Sequence, residues 1–245
     1  MLRYILRSFR SFIGLNPAPC EYRLELDGFQ FAVEATRGDL APYAGIFIDH
    51  EYALDQRFVP EPGSTVLDVG AQVGFFCAYA SALVGSGRIF AFEPDPASFD
   101  RLQKNISANR LDNIHLQRMA VSDTAGVVLF DCFPLSVDSR ITTKRSARTV
   151  EVPSTTLDDF VRSMAIERID LLKIDTEGFE AHVLRGARAE ALPRVRRIIV
   201  EIHTPRLREE VEAILQPAGF KRTAETNGVY FFMRDPTDAG SSAPP

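Results

Sequence analysis

"VLDVGAQVGFF", residues 66–76, decides how the rest of the chain is read. The apolar pair Val66-Leu67 meets an acid, Asp68. Gly70 and Gly74 follow, and apolar residues resume at Phe75. A short apolar run closed by turn residues reads as a buried strand, and the longer apolar stretch after it as a helix. Strand, glycine loop and helix together form the opening unit of an α/β layer.

The same alternation continues downstream. "RIFAFEP" (88–94) reads as a second strand and "DPASFDRLQKNISANR" (95–110) as an amphipathic helix. "NIHLQRMAV" (113–121) reads as a third strand, and "VVLFDCF" (127–133) and "TVEVPS" (149–154) as two more, flanking a polar segment at 134–149. "TTLDDFVRSMA" (155–165) has helix-start chemistry, with Thr155 or Thr156 as cap and acids in the first turn. Then "IDLLKID" (169–175), "GFEAHVLRGARAEAL" (178–192), "RRIIVEIH" (196–203) and "PRLREEVEAILQPAG" (205–219) alternate strand and helix. "KRTAETNGVYFFMR" (221–234) reads as a hairpin around Asn227-Gly228. Apolar strands between helices predict a mainly parallel sheet covered on both faces, with a C-terminal antiparallel hairpin.

Upstream, "EYRLELDGFQFAVEA" (21–35) predicts a hairpin turning at Asp27-Gly28, and "EPGS" (61–64) is a break. This divides the chain into an N-terminal cap or substrate-side extension (1–60), the main domain (61–235) and a tail (236–245) whose composition predicts disorder. The start, with Arg3, Arg7 and Arg10 among apolar residues, reads as a short helix docking on the domain, or else as an amphipathic helix touching a membrane or partner.

The 245 residues are 45% hydrophobic and 25% charged, with a net charge of −5, so no global basic field draws the protein to nucleic acid. The three cysteines have no CxxC spacing, which speaks against a disulfide framework or a zinc site and fits a cytoplasmic protein with reduced thiols. Cys77 is expected in the core. No stretch reaches the length of a membrane span. The sequon at Asn105 falls in a helical pattern and reads as chance.

Which ligand would the loop hold? In such a sheet the ligand lies beyond the carboxyl ends of the strands. Gly70 and Gly74 permit a tight turn and close approach, with Ala71, Gln72 and Val73 between them. Glu93, about 20 residues on and followed by Pro94, is placed to accept hydrogen bonds from ribose hydroxyls. A dinucleotide loop is normally GxGxxG with a pyrophosphate at the helix start; here the spacing is GxxxG and Asp68 would repel phosphate. S-adenosylmethionine, with an ammonium and a sulfonium and no phosphate, fits better. The competing reading of Asp68 is a cap of the following turn. Ala120 and Val121 offer small apolar surface for an adenine.

"LLKIDTEGFE" (171–180) places Asp175 at a strand end, near the expected methyl region, with Glu177 and Glu180 close behind. Burying Lys173 and Asp175 without function would be expensive. Glu201 and His203 share one face at the end of "VEIH".

Taken together, "VLDVGAQVGFF", "GRIFAFEPDPASFDRLQKNISAN", "AVSD", "TTLDDF", "IDLLKIDTEGFEAHVLRGA" and "VEIH" resemble the FkbM family of methyltransferases across about 65–235. The resemblance implies a Rossmann-like class I fold with a seven-stranded sheet and S-adenosylmethionine as cofactor. By position it implies that Asp68, Gly70, Ala71, Gly74, Glu93 and Asp175 line the cofactor site. It also implies O-methylation of small molecules, including polyketides and sugars. The family usually has asparagine where this sequence has Gln72.

Transfer to a hydroxyl requires alignment of oxygen, methyl and sulfur, and removal of a proton. His203 and Asp175, with Glu177 behind them, are the candidate bases. A divalent cation held by the acids is the other route, and no metal ligand is assigned. An amino acceptor on a nucleobase is disfavoured because the loop after the fourth strand reads "DTEG" and has no aromatic. The expected partner is a small-molecule hydroxyl acceptor. A nicotinamide-dependent oxidoreductase and a non-catalytic cofactor-binding protein are the alternatives.

Overall fold

The computed structural model describes residues 21–26, 28–34, 41–133 and 138–234. The N-terminal amphipathic stretch, the turn residue Asp27 and the C-terminal tail lie outside the described residues.

Thirteen strands are described in chain order: β1 (Glu21–Leu26), β2 (Phe29–Glu34), β3 (Thr65–Val69), β4 (Arg88–Phe92), β5 (Ile114–Gln117), β6 (Ala120–Val121), β7 (Gly126–Asp131), β8 (Arg140–Thr142), β9 (Thr149–Thr155), β10 (Leu171–Ile174), β11 (Arg197–Glu201), β12 (Phe220–Thr226) and β13 (Val229–Arg234). Seven of them form the main sheet in the order β12-β13-β11-β10-β3-β4-β5. The five strands from β11 to β5 run parallel, and β13 and β12 add an antiparallel hairpin at one edge. The predicted fold class is the one observed.

Alternation along each strand divides the core between the two faces of the sheet. Leu67, Val69, Phe90, Phe92, Leu172 and Ile174 pack on one face, under the helices Leu157–Ser163, Glu180–Arg185 and Pro205–Leu215. Val66, Ile89, Ala91, Leu171 and Ile199 pack on the other, under Phe75–Val84 and Pro96–Ala108. Each fully buried aromatic or aliphatic side chain contributes on the order of 1.5–3 kcal/mol. The strands therefore read as continuous apolar runs because both faces are covered.

Two elements differ from the sequence reading. The third strand divides: Ile114–Gln117 pairs with β4, while Ala120–Val121 leaves the main sheet and pairs with β9. It joins a second, four-stranded sheet, β6-β9-β7-β8, which the sequence showed only as separate strands. The helix expected over 178–192 is interrupted. The Asp158 carboxylate accepts the backbone N–H groups of Ala189, Glu190 and Ala191 at 2.8–2.9 Å, starting a second short helix, Ala191–Arg194.

The N-terminal part is tied to this frame. β1 and β2 form the expected hairpin, and Asn105 and Asn109 accept the backbone N–H groups of Ala32 (2.6 Å) and Gln30 (2.7 Å). Asn105 is buried and its amide also donates to the Val73 carbonyl at 2.8 Å, so its sequon is structurally committed. Phe58 meets Phe231 edge-on at 5.1 Å. Within 134–149, Arg145 pairs with Glu151 and Arg148 lies 3.5 Å from Asp131, so these charges serve the second sheet.

Candidate active site

The glycine loop leaves β3 with Gly70 at φ +89° and reaches Gly74 at φ +94°. The backbone N–H groups of Gly70 and Ala71 both donate to the Phe92 carbonyl at 3.0 Å, which ties the loop to the end of β4. A Cβ on Gly70 would stand 1.7 Å from the Asp175 carbonyl oxygen, and one on Gly74 would stand 2.6 Å from the Leu102 side chain. Gly70 is thus required by the packing of the loop against backbone, whereas at Gly74 the Leu102 side chain can move and the positive φ is what favours glycine. Gln72 takes φ +50°, a left-handed conformation that asparagine adopts more readily than glutamine.

Glu93 acts as the clamp between loop and strand. Its carboxylate accepts the Gln72 N–H at 2.8 Å and the Asp95 N–H at 2.7 Å. Burial pushes its carboxyl up to about 8, against the lowering effect of the backbone bonds. Each oxygen keeps a lone pair for a further donor.

A cavity of about 420 Å³ opens beyond the strand ends, where the loop, β4, β6 and β10 converge. Of the expected cofactor residues, Gly70, Ala71, Gln72, Glu93, Pro94, Ala120, Val121 and Asp175 line it. Val73 and Gly74 do not. Val73 is fully buried and Gly74 packs on Leu102.

The expected cofactor residue Asp68 is not itself part of the cavity wall. It shares the Val66 face of β3, is fully buried, and accepts from Lys173 Nζ at 3.2 Å and Cys77 Sγ at 3.1 Å. Cys77 is buried as expected. The register explains the lysine contact: Asp68 and Lys173 are directly paired positions on the neighbouring strands β3 and β10. Lys173 Nζ also donates to the Gly70 carbonyl at 3.3 Å, lies 3.6 Å from Asp175 Oδ2, and sits 5.6 Å from the ring centres of Tyr52 and Phe76. Burial pushes the Asp68 carboxyl up. It also weighs against the charge on Lys173, but Asp68, Tyr52 and Asp175 together hold that ammonium above the ordinary lysine range, and this direction governs the pair.

At the far end of the cavity Asp175 and Glu177 approach His203. The loop that carries them is held by Glu180, one oxygen of which accepts Thr176 N–H (2.9 Å), Thr176 O–H (3.0 Å) and Gly178 N–H (3.1 Å). His203 Nε2 lies 3.2 Å from Glu177 Oε2 and 3.9 Å from Glu201 Oε1. The bond to Glu177 raises His203 to about 9, so the imidazole and the Glu177 carboxylate act as a hydrogen-bonded pair. Burial and the charge of Asp175 raise Glu201 to about 7.

The cavity residues that sequence reasoning missed include Asp49, Glu51 and Tyr52, which come from the N-terminal part. The Tyr52 hydroxyl donates to Glu201 at 3.4 Å. No motif marks them; their only signal is that an apolar aromatic must pack somewhere.

The cavity suits a cation. Among the described residues its lining holds six carboxylates (Asp49, Glu51, Glu93, Asp175, Glu177, Glu201) against one cationic side chain, Lys173. A pyrophosphate would be repelled there, whereas S-adenosylmethionine carries a sulfonium and an ammonium and has a single carboxylate for the lysine to meet. Sheet order and hairpin are those of a Rossmann-like methyltransferase.

The comparisons agree. The model of the methyltransferase FkbM domain matches residues 68–222. Methyltransferase sdnD of Sordaria araneosa is 31% identical, over 75% of this chain and 82% of the relative. The 31-O-demethyl-FK506 methyltransferase FkbM of Streptomyces tacrolimicus is 29% identical, over 77% and 84% respectively. The hexuronic acid methyltransferase AglP of Haloferax volcanii is 29% identical, over 64% of each. The chain belongs to the FkbM methyltransferase family, and its cofactor is S-adenosylmethionine. The nicotinamide alternative falls with that membership.

Proposed function

We propose that this chain is an O-methyltransferase acting on a hydroxyl of a small molecule, a sugar or polyketide in class. The observation that carries the reading is that Asp175 and Glu177 line an acid-rich cavity, with His203 bonded to Glu177 from beside it. Two relatives support it by name, one methylating at oxygen 31 of its substrate and one acting on a hexuronic acid.

When bound, S-adenosylmethionine supplies a methyl group already activated on sulfur. Glu93 would hold the ribose hydroxyls, and Ala120 and Val121 would border the adenine. Lys173 keeps Asp175 and the Gly70 carbonyl in place at the methyl end. The acceptor hydroxyl enters beside Asp175 and Glu177, whose carboxylates orient it and draw off its proton. His203 fixes Glu177 by its hydrogen bond.

Among the described residues no helix is long and apolar enough to cross a membrane. A cytoplasmic enzyme acting on a diffusible acceptor is the reading we adopt.

The test is transfer of a radiolabelled methyl to a panel of sugars, polyketides and peptides. Label in a hydroxyl-bearing acceptor, lost in Asp175→Asn, is the expected result. Label confined to amines would sink the O-methylation reading. Cofactor binding with no transfer to any acceptor would favour a non-catalytic binding protein.

A further inference from the structure

Asp175 and Glu177 follow β10, and His203 follows β11. These are different segments, yet one ligand atom from each lies within 4.8 Å of the others. Two carboxylates and an imidazole form a donor set for divalent transition metals. The span is close to twice the roughly 2.0–2.6 Å bond lengths of such ions, so a small inward movement of the half-buried acids and the exposed imidazole suffices.

The location adds a second argument. Asp175 and Glu177 line the cofactor cavity. Glu177 and His203 line a neighbouring cavity of about 360 Å³, bordered also by Arg140, Thr204 and Glu210. The three donors therefore stand at the junction of a methyl-donor chamber and a second chamber that the cofactor does not need. Charge favours a cation there, because Glu51 and Glu201 add to the two acids, against the single ammonium of Lys173, which lies 3.6 Å from Asp175 and is shared with Asp68 at 3.2 Å.

We propose that Asp175, Glu177 and His203 hold a divalent cation of the manganese type, with its open positions facing the acceptor. This rests on the O-methylation reading for its purpose. The cation ligates the acceptor oxygen and makes its proton easier to remove. With Asp175 and Glu177 engaged as ligands instead of acting as the base, the O–CH3 bond forms as the methyl–sulfur bond breaks, sulfur leaves as a thioether, and the hydroxyl proton passes to Glu201. The second chamber holds the body of the acceptor.

The test uses the full chain, stripped with EDTA and titrated with Mn2+ while the electron paramagnetic resonance signal of free Mn2+ is followed. A single Mn2+ is expected to bind per chain. Affinity is expected to fall about tenfold or more in Glu177→Gln and in His203→Ala, but not in Glu210→Gln, which lies in the second cavity outside the triad. Urea midpoints of the variants exclude loss of fold as the cause. An undiminished free signal, or equal binding by all three variants and the parent, overturns the site. Labelled-methyl transfer with and without EDTA separates the two readings. Mn2+ binding without hydroxyl methylation keeps the cation site and removes the O-methylation reading. Hydroxyl methylation without Mn2+ binding does the reverse.

Discussion

Lys173 Nζ lies 3.2 Å from Asp68 Oδ1, and both side chains are almost wholly buried. The pair joins the two central strands beneath the glycine loop. Removing one partner strands the other as a buried charge, which typically costs about 3–5 kcal/mol. Lys173→Met is expected to lower stability by that amount in urea unfolding. Asp68→Asn combined with Lys173→Met should recover part of the loss. Additive single effects would show that the two side chains act independently.

Glu93 makes stability depend on pH. Its carboxyl titrates at about 8 in the folded chain against an ordinary value of 4.5. Between those values the folded state keeps a proton that the unfolded state releases, so stability from this group falls as pH rises from about 4.5 to 8. The slope is up to about 1.4 kcal/mol per pH unit. It is expected to be shallower in Glu93→Gln, with urea midpoints measured across the window. Asp95 and Asp68, the neighbouring acids, remain in both proteins. An identical slope in both would contradict the assignment.

A second substitution at this position tests the ribose contact. Above about pH 8, where Glu93 carries its charge, a hydrogen bond to it contributes about 1.5–3 kcal/mol. Calorimetry with S-adenosylhomocysteine should therefore show affinity reduced roughly 10–100-fold in Glu93→Ala. Unchanged affinity would remove Glu93 from the cofactor site.

Gly70 and Gly63 separate strain from collision. Both have positive φ, but a Cβ on Gly63 meets nothing within 4 Å, whereas one on Gly70 meets the Asp175 carbonyl. Gly63→Ala should cost only about 1–2 kcal/mol of backbone strain. Gly70→Ala should cost about 3 kcal/mol or more and weaken S-adenosylhomocysteine binding. Equal unfolding midpoints for the two variants would contradict this.

Gln72→Asn should be stabilising. The backbone N–H to Glu93 is retained, and asparagine tolerates φ +50° better, by a few tenths to about 1 kcal/mol. A lower urea midpoint would count against a purely conformational role for this position.

The parallel strands and the loop were legible in the sequence because a doubly covered sheet writes itself as apolar runs between helices. The hairpin at Asn227-Gly228 was legible from its turn residues. What the sequence did not reveal depends on three-dimensional register. Asp68 looked free to meet a cation because Lys173, its neighbour across the sheet, is 105 positions away. The cofactor inference survives on other acids, chiefly Glu93 and Asp175 in the cavity wall. His203 was expected on the cofactor rim, but it lines the neighbouring cavity and meets Glu177, a contact between loops that no periodicity encodes. The departure of Ala120–Val121 to a second sheet was hidden because both halves of that segment are equally apolar.

The Tyr52–Phe76 and Phe58–Phe231 ring pairs reach across the break at 61–64. That break is where composition invites recombination between related genes. A crossover there would bring together a new N-terminal segment and an old sheet. Its product would have to match both ring pairs at once, or leave Phe231 and the rings around Lys173 facing water. The first sixty residues and the remainder are therefore expected to be inherited as one unit, even though the sequence offers a seam between them.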